Sequence, residues 1–262
     1  MSHEPITRPD PWALTREVRI GAVICLLLLC VAAPLTIIFL DASITRELAK
    51  IPRDVQLAFD AITEIGNSRW YMFPSLALAA LIALYLRYGH PAEKARRIWR
   101  WLSGSFLFLF FSVFIPGFFL NLVKWTAGRA RPKLMLREEY FGFDPIKFDP
   151  DYNSFPSGHA QVSICVALAV GCFFPKARPW LLALAVVIAI SRIVILVHFI
   201  SDVMASIAIA LSLSWVIQAW YRDKGYLFTP APGGGWHVKP EGRWIGRRIK
   251  RFFGLLPRRP RA

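Results

Sequence analysis

Two histidines and one aspartate stand where nucleophilic and acid–base chemistry is possible. His198 precedes Asp202 by four residues, a spacing that lets the carboxylate reach the imidazole if a helix begins at that turn. An aspartate on one ring nitrogen fixes the tautomer and leaves the other nitrogen free as a nucleophile. His159 can give a proton to a departing oxygen and later take one from water. The pattern predicts His198 as nucleophile, Asp202 as its orienting partner and His159 as general acid.

Three cations and a short glycine turn accompany these groups. Lys124 ends one apolar run, Arg131 follows it, and Arg192 lies inside another apolar run. An ionisable group within such a run is costly, so its presence indicates function. Ser157 and Gly158 stand directly before a predicted helix, where a hydroxyl and unpaired backbone N–H groups can face an anion. Cations that converge with such a turn suit a tetrahedral phosphate, which predicts a phosphate-binding site.

Other charges near these residues are given no chemical role. Arg129, Lys133 and Arg137 are interpreted as solvated loop charges. The position of His198 at a turn predicts that its side chain is wet. The loop 133–155 combines acidic residues with aromatic ones that are typical of membrane-interface anchors. Its acidic residues are expected to form a solvated face, or else to reject a polyanionic head group.

The apolar residues are gathered into runs that are long enough to cross a membrane. The chain has 262 residues, 55% of them hydrophobic, and residues 20–40 contain no ionisable side chain. About 20 such residues cross a hydrocarbon core about 30 Å thick. The first run is longer than the core of a cleaved signal peptide, so a retained span is expected. The runs predict an all-α polytopic membrane protein, a six-span transmembrane helical bundle with spans at 20–40, 70–87, 101–123, 160–174, 180–197 and 203–220.

Basic residues in the connecting segments orient this bundle. They crowd the amino terminus, the segment 87–100, the turn 175–179 and the carboxy-terminal tail, which six spans place on one side. The positive-inside rule makes that side cytoplasmic. The loops 41–69, 124–159 and 198–202 then face outward. The site is therefore predicted at the periplasmic face of the cell inner membrane, with both termini in the cytoplasm.

The strong positive charge lies mainly in the tail. The net charge is +15, and residues 222–262 carry 11 Lys and Arg against Asp223 and Glu241, a net of +9. Basic tails next to spans commonly face lipid, so membrane lipids are the expected partners and no nucleic acid is predicted. Apolar residues at helical spacing predict an interfacial helix in the tail, with a disordered tail as the alternative. The four cysteines lie inside apolar runs without a CxxC spacing, so neither a zinc site nor a disulfide framework is predicted.

The candidate residues fall into a three-part pattern. It reads K-x6-R-P at 124–132, P-S-G-H at 156–159 and S-R-x5-H-x3-D at 191–202. The pattern resembles the signature of the type 2 phosphatidic acid phosphatase family, whose membrane members are six-span lipid phosphatases. All three parts are present in the family's order. One departure is Ile200, two residues after His198, where family members often have proline; this can alter the turn but removes no catalytic group.

The resemblance implies a phosphatase without metal or cofactor that works through a phosphohistidine on a lipid phosphate substrate. Carried over residue by residue, the catalytic residues are His198, His159 and Asp202, and the phosphate-binding residues are Lys124, Arg131, Ser157, Gly158 and Arg192. The implied organisation is a cytoplasmic segment 1–19, a six-span phosphatase domain 20–220 and a basic cytoplasmic tail 221–262.

Two other functions fit some of the same residues. A phosphotransferase would pass the phosphate from the histidine to a lipid acceptor, which the sequence does not distinguish from hydrolysis. An anionic-lipid binder or transporter would explain the cations but not the two histidines with an aspartate. The candidate substrates are outward-facing lipid phosphates, and the loop 133–155 is expected to select among undecaprenyl diphosphate, phosphatidylglycerol phosphate, phosphatidic acid and lipid A.

Overall fold

The computed structural model describes residues 31–147, 149–231 and 235–252, without the side chains of 248–252. The predicted segment 1–19, the first part of the first predicted span with Cys25 and Cys30, and the end of the basic tail lie outside these residues.

Helices form most of the described chain and follow the predicted apolar runs. They are α1 (described over 31–39), α2 (Asp41–Leu48), α3 (Arg53–Thr63), α4 (Arg69–Tyr88), α5 (Glu93–Ala127), α6 (Pro132–Glu138), α7 (Gly158–Phe173), α8 (Arg178–Val194), α9 (Ile200–Asp223) and α10 (Pro240–Phe252). Short 3-10 turns stand at Glu64–Gly66 and Pro150–Tyr152. A small antiparallel hairpin pairs β1 (Phe228–Pro230) with β2 (Trp236–Val238). The helical prediction is confirmed, and the hairpin is an addition to it.

Three helical stretches are long and apolar enough to cross a membrane. They are Arg53–Tyr88, in which α3 leads into α4, and the helices α5 and α9. Within the described residues α7 is apolar but shorter, with 16 residues, or about 24 Å at 1.5 Å per residue. The part of the chain that the structure describes is therefore a helical bundle suited to a membrane.

Helix α7 lies at the centre of this bundle. It packs against α5, α8 and α9. Small buried residues such as Ala160 and Ala167 let these helices approach closely. At Gly171 an added Cβ would stand 2.8 Å from the Arg178 side chain, so the start of α8 can pack here because this residue is glycine. The central packing fixes the first residues of α7 beside its three neighbours.

The described part of the tail folds back on the bundle. Leu227 and Phe228 are buried in a cluster with Phe108 of α5. The indole nitrogen of Trp101 donates to the Leu227 carbonyl oxygen at 3.3 Å. Helix α10 packs against α5. Of the two alternatives for the tail, the described residues 240–252 take the helical one; contact of this helix with lipid stays a prediction.

Candidate active site

His198 lies in the short connection between α8 and α9. The connection turns sharply, with Leu196 at a positive φ of 58°, and the His198 backbone N–H donates to the Arg192 carbonyl at 3.1 Å. The His198 side chain is 4% exposed. The expectation of a wet side chain is wrong, because this turn folds inward against the chain that precedes α7. Burial lowers the pKa of His198 to about 3, so its ring is neutral at physiological pH.

Ser154 orients the His198 ring. Nδ1 of the ring lies 2.5 Å from the Ser154 carbonyl oxygen and 3.6 Å from Oδ2 of Asp202. A carbonyl oxygen can only accept, so Nδ1 carries the proton and Nε2 keeps the lone pair of a nucleophile. The spacing predicted a direct bond from the aspartate to the imidazole, and the structure differs. Asp202 accepts from the Ser154 hydroxyl at 2.6 Å instead, and its carboxylate stays within ion-pair distance of the ring nitrogen.

Asp202 is completely buried and its carboxylate is well paired. Oδ2 accepts from the Phe199 backbone N–H at 2.8 Å as well as from Ser154. Oδ1 accepts from Nη1 of Arg129 at 2.5 Å. A buried carboxylate is stable as an ion only when it is paired and hydrogen-bonded in this way.

Arg129 is buried, with 1% of its surface exposed. Its interpretation as a solvated loop charge is therefore wrong. Nη1 also donates to the Ser201 hydroxyl at 2.7 Å, and Nη2 donates to Oδ2 of Asp41 at 2.8 Å. The Phe199 ring centre lies 4.3 Å from the guanidinium carbon. Arg129 thus joins the start of α2 to the start of α9.

The chain reverses direction at Gly128, just before Arg129. Gly128 ends α5 with a φ of 58°, and a Cβ there would stand 1.8 Å from the Asp144 carbonyl oxygen. Only glycine fits such a turn. The following residues pair with 142–144, and the Ala130 N–H donates to the Gly142 carbonyl at 3.1 Å. This pairing fixes the backbone from which the Arg129 side chain enters the interior. The neighbouring Lys133 and Arg137 are exposed, as interpreted.

The predicted phosphate-binding cations come from three elements. Lys124, in the last turn of α5, donates from Nζ to the Asn153 carbonyl at 2.7 Å. Arg192, in the last turn of α8, donates from Nη1 to the Thr63 hydroxyl at 2.9 Å. Arg131 precedes α6 as its N-cap residue. The three charges are close enough to repel one another, an arrangement that an anion would relieve.

Several donors at this place lack a protein partner. Among the described residues, Nε of Arg131, Nε of Arg192 and Oγ of Ser157 are buried without a hydrogen bond. Most buried polar atoms in proteins are paired, so unpaired donors gathered at one place indicate a bound acceptor. A Cβ added at Gly158 would meet nothing within 4 Å, so the backbone at the start of α7 faces open space. The arrangement can hold an anion with several oxygens.

His159 is half-buried at the start of α7 and close to these cations. It also lines a cavity of about 400 Å³ bounded by α4, α5 and α7. Gly66 packs tightly on His159, since a Cβ added at Gly66 would lie 3.1 Å from the His159 carbonyl oxygen. The lining of the cavity is mostly apolar and includes the amide side chains of Asn121 and Gln161. His159 can therefore contact both a phosphate and the group attached to it.

The structure brings all the predicted site residues together. They are Lys124, Arg131, Ser157, Gly158, His159, Arg192, His198 and Asp202. Three further residues, Ser154, Arg129 and Asp41, belong to the site although the sequence did not predict them. Ser154 precedes the P-S-G-H motif, a position that could have drawn attention to it. Asp41 gave no such signal, because it is 160 residues from its partner Ser201.

Comparison with known proteins places the chain in a family. A family model described as the PAP2 superfamily matches residues 105–226. The lipid A 1-phosphatase of Rhizobium johnstonii is 30% identical over 213 residues, 80% of this chain and 85% of that protein. The chain belongs to the PAP2 superfamily. It is a lipid phosphatase, a hydrolase that acts on phosphoester bonds, and the resemblance seen in its motifs is confirmed.

Other relatives agree with this family. The lipid A 1-phosphatase of Rhizobium etli is 29% identical over 211 residues, 80% of this chain and 89% of that protein. Phosphatidylglycerophosphatase B of Bacillus subtilis is 29% identical over 89 residues, 30% of this chain and 43% of that protein. The crystal structure of a transmembrane PAP2-type phosphatidylglycerolphosphate phosphatase from Bacillus subtilis shares the fold, with a TM-score of 0.54 and 19% identity over 78% of this chain and 96% of that chain.

Proposed function

We propose that this PAP2 phosphatase removes the 1-phosphate of lipid A by hydrolysis through a phosphohistidine on His198. The observation that carries the proposed chemistry is the group of unpaired buried donors on Arg131, Ser157 and Arg192. The substrate rests on the two Rhizobium lipid A 1-phosphatases, each of which aligns with 80% of this chain. The phosphatidylglycerophosphatase of Bacillus subtilis aligns with only 30% of it.

In the first step, Nε2 of His198 attacks the phosphorus, and the bond from phosphorus to the ester oxygen of the substrate breaks. Burial and the neighbouring cations lower the pKa of His159 to about 4 in the free site, so His159 takes up its proton as the negatively charged phosphate binds. The departing oxygen then takes this proton from His159. Lys124, Arg131 and Arg192 balance the charge on the phosphoryl oxygens in the transition state. Phosphoryl transfer depends mainly on positioning and charge neutralisation, which fixed cations can supply without a metal ion.

In the second step, His159 takes a proton from a water molecule, whose oxygen attacks the phosphohistidine. The nitrogen–phosphorus bond breaks, inorganic phosphate forms and Nε2 of His198 regains its lone pair. Nδ1 keeps its proton and donates it in a hydrogen bond to the Ser154 carbonyl throughout, which keeps the ring in one tautomer. The negative charge of Asp202 stabilises the ring while it is positively charged.

The cavity beside His159 can hold the part of the substrate that is attached to the phosphate. Its volume of about 400 Å³ falls in the range of small-molecule sites. Apolar residues such as Val113 and Leu120 line it together with Asn121 and Gln161. This mixture suits a head group that carries both polar atoms and the first part of an acyl chain.

The proposal includes the topology expected from the sequence: six spans in the inner membrane, both termini cytoplasmic and the site periplasmic. Two observations support it. The site residues all belong to the predicted outward loops 124–159 and 198–202, or lie close to them as Arg192 does. The strongly basic segment 93–100 lies at the opposite end of α5 from Lys124. Labelling of a single cysteine placed at Arg137, in a cysteine-free chain, with a membrane-impermeant reagent tests the periplasmic placement.

The substrate is tested by phosphate release from the detergent-purified full chain in EDTA. The panel contains lipid A, undecaprenyl diphosphate, phosphatidylglycerol phosphate and phosphatidic acid, with His198→Gln as the inactive control. We expect lipid A to be preferred and its 1-phosphate to be the group lost, as mass spectrometry of the product can show. Rapid quenching should trap an acid-labile phosphoenzyme in the wild type and none in the control.

Other outcomes contradict separate parts of this proposal. Preference for another lipid would show that the substrate is wrong while the chemistry stands. Loss of activity in EDTA would contradict metal independence. Phosphate recovered on a second lipid would identify a phosphotransferase, and binding of all four lipids without turnover would identify a binder or transporter.

A further inference from the structure

Arg129 contacts both residues that border the His198 ring. Its guanidinium donates to Asp202 at 2.5 Å. Its backbone carbonyl accepts from the Ser154 N–H at 3.0 Å. Ser154 in turn accepts from the ring and donates to Asp202. Arg129, Asp202 and Ser154 form a closed circuit of hydrogen bonds, and His198 is attached to it through the Ser154 carbonyl. A movement of Arg129 can therefore be transmitted to His198.

Asp41 fixes the other side of the guanidinium. It accepts from Nη2 of Arg129 at 2.8 Å and from the Ser201 backbone N–H at 3.2 Å. The Ser201 hydroxyl, which also contacts Arg129, donates to the same carboxylate. Two carboxylates on two sides define the plane of the guanidinium, because its donors have a rigid fork geometry. Asp41 opens α2 and lies outside the family match at 105–226.

The protein itself occupies the terminal nitrogens of Arg129. Both nitrogens have acceptors within the described chain, and the rings of Phe141, Phe143 and Phe199 lie over the guanidinium. This differs from Arg131 and Arg192, whose Nε atoms are buried without a partner in the described part of the chain. Arg129 therefore acts on the protein side of the site and not on the phosphate.

We infer that Arg129 and Asp41 form a positioning pair for the nucleophile: the pair holds Asp202 and Ser154, and through them sets the angle at which Nε2 of His198 meets the phosphorus. The inference rests on the proposed role of His198 as nucleophile. It assigns a function in catalysis to the start of α2. A nucleophile that is misplaced by about 1 Å can lose about 100-fold in rate, so the pair is expected to affect kcat strongly.

The test compares Arg129→Met, Arg129→Lys and Asp41→Asn in the full chain, with Arg46→Met as the matched control. Arg46 lies in α2, the same helix as Asp41, but it is exposed. We expect Arg129→Met to lower kcat about 100-fold or more with KM changed less than about threefold, because the phosphate-binding cations remain. Arg129→Lys should recover part of this loss, and Asp41→Asn should lower kcat about 10-fold. Arg46→Met should leave both constants unchanged.

Two further measurements distinguish a positioning role of Arg129 from a role in stability, and distinguish this inference from the proposed function. In the double variant Arg129→Met/Asp41→Asn the loss should be smaller than the product of the single losses, as for residues in one network. Asp41→Asn removes one of the two buried negative charges that Arg129→Met leaves without a cation. The double variant can therefore replace Arg129→Met in the test if that single variant does not fold. Rapid quenching should show slower phosphohistidine formation in the Arg129 variants, with inhibition by inorganic phosphate unchanged.

Contrary results have distinct meanings. A wild-type kcat in folded Arg129→Met or Asp41→Asn would overturn the inference. A raised KM with weaker phosphate inhibition would also overturn it, because Arg129 would then contact the substrate. If the wild type itself turns over lipid without a phosphohistidine, the proposed function fails and the inference fails with it. If the wild type forms the phosphohistidine and the Arg129 variants form it equally fast, only the inference fails.

Discussion

The two halves of the active site treat their polar groups in opposite ways. Around His198, the ring nitrogen Nδ1, the Asp202 carboxylate and the Arg129 guanidinium all have partners within the protein. Around the predicted phosphate, Nε of Arg131 and Nε of Arg192 are buried and have no hydrogen bond to any residue that the structure describes. The polar groups around His198 have their hydrogen-bond partners without a ligand, whereas those around the predicted phosphate gain partners when the ligand binds. The difference shows where the protein has fixed geometry in advance and where it has kept binding capacity for an anion.

Two serines show the same contrast within one turn. Ser154 and Ser157 are both completely buried. The Ser154 hydroxyl donates to Asp202 at 2.6 Å, whereas the Ser157 hydroxyl has no hydrogen bond among the described residues. Because the two residues are equally buried, burial does not explain the difference between them. The Ser154 hydroxyl supports Asp202 beside the nucleophile, and the Ser157 hydroxyl remains available to the ligand.

Removing the nucleophile, which belongs to the half that holds the histidine, should have the largest effect. His198→Ala is expected to lower kcat by about 10⁴-fold or more, because no other group can form the covalent intermediate. Steady-state phosphate release measures this. The phosphate-binding half should survive, so inorganic phosphate should still raise the melting temperature of the variant. His198 is buried, and His198→Gln, which fills more of its volume, is the control for a packing defect. Near-normal turnover in either variant would contradict the mechanism.

The two serine variants should give smaller effects, a loss of stability in one variant and a loss of phosphate binding in the other. Ser154→Ala leaves Asp202 with one donor fewer, which is expected to cost about 1–3 kcal/mol of stability. Ser157→Ala removes no hydrogen bond of the free protein, so its stability should match the wild type. It should instead weaken binding of inorganic phosphate about 10-fold, the value of one bond to a charged group. Thermal unfolding with and without phosphate measures both effects.

The two serine variants can also contradict the contrast between the halves. If Ser157→Ala proved the less stable variant and Ser154→Ala the weaker phosphate binder, the assignment of the hydroxyls would be reversed. Equal losses in both assays would mean that the two halves are not separate. The exposed Thr126, whose hydroxyl bonds only within α5 in the part of the chain that the structure describes, provides a hydroxyl-deletion control as Thr126→Ala.

The sequence predicts the phosphate-binding half better than the half that holds the histidine. Ser157, Gly158 and His159 are adjacent at one helix start, so their spacing alone places them together. Arg192 stands out because a charge inside an apolar run needs a reason. These signals depend only on residues that are neighbours in the sequence, so contacts between distant parts of the chain do not change what they predict. The apolar runs predict the helices for the same reason, since each is defined by its own composition.

The half that holds the histidine depends on contacts between distant parts of the chain. Arg129 and Asp41 are 88 residues apart, and a charged residue in a loop is exposed in most proteins. Nothing in the local sequence shows that Gly128 turns the chain inward. The four-residue spacing predicted a direct bond from Asp202 to the imidazole, but the carbonyl of Ser154, 44 residues away from His198, takes that place. Such partners become visible only when the tertiary structure is known.

An effect similar in size to that of Ser154→Ala is a pH dependence of stability that arises from the half that holds the histidine. Burial lowers the pKa of His198 to about 3 in the folded protein, against about 6.5 in an unfolded chain. As the pH falls below 6.5 the unfolded state binds a proton on this histidine and the folded state does not. Stability is therefore complete above pH 6.5 and is lost as the pH falls, by about 2 kcal/mol at pH 5. We expect the melting temperature to drop by about 4–8 °C for this reason.

Comparison with His198→Gln isolates this contribution, because glutamine does not titrate and every other group is kept. Between pH 7 and pH 5, the melting temperature of the wild type should fall further than that of the variant, and the difference between the two falls is the contribution of His198. Equal falls would mean that the folded protein accepts a proton on His198 as readily as the unfolded chain does. The ring would then be open to water, and the half that holds the nucleophile would not be complete before the substrate binds.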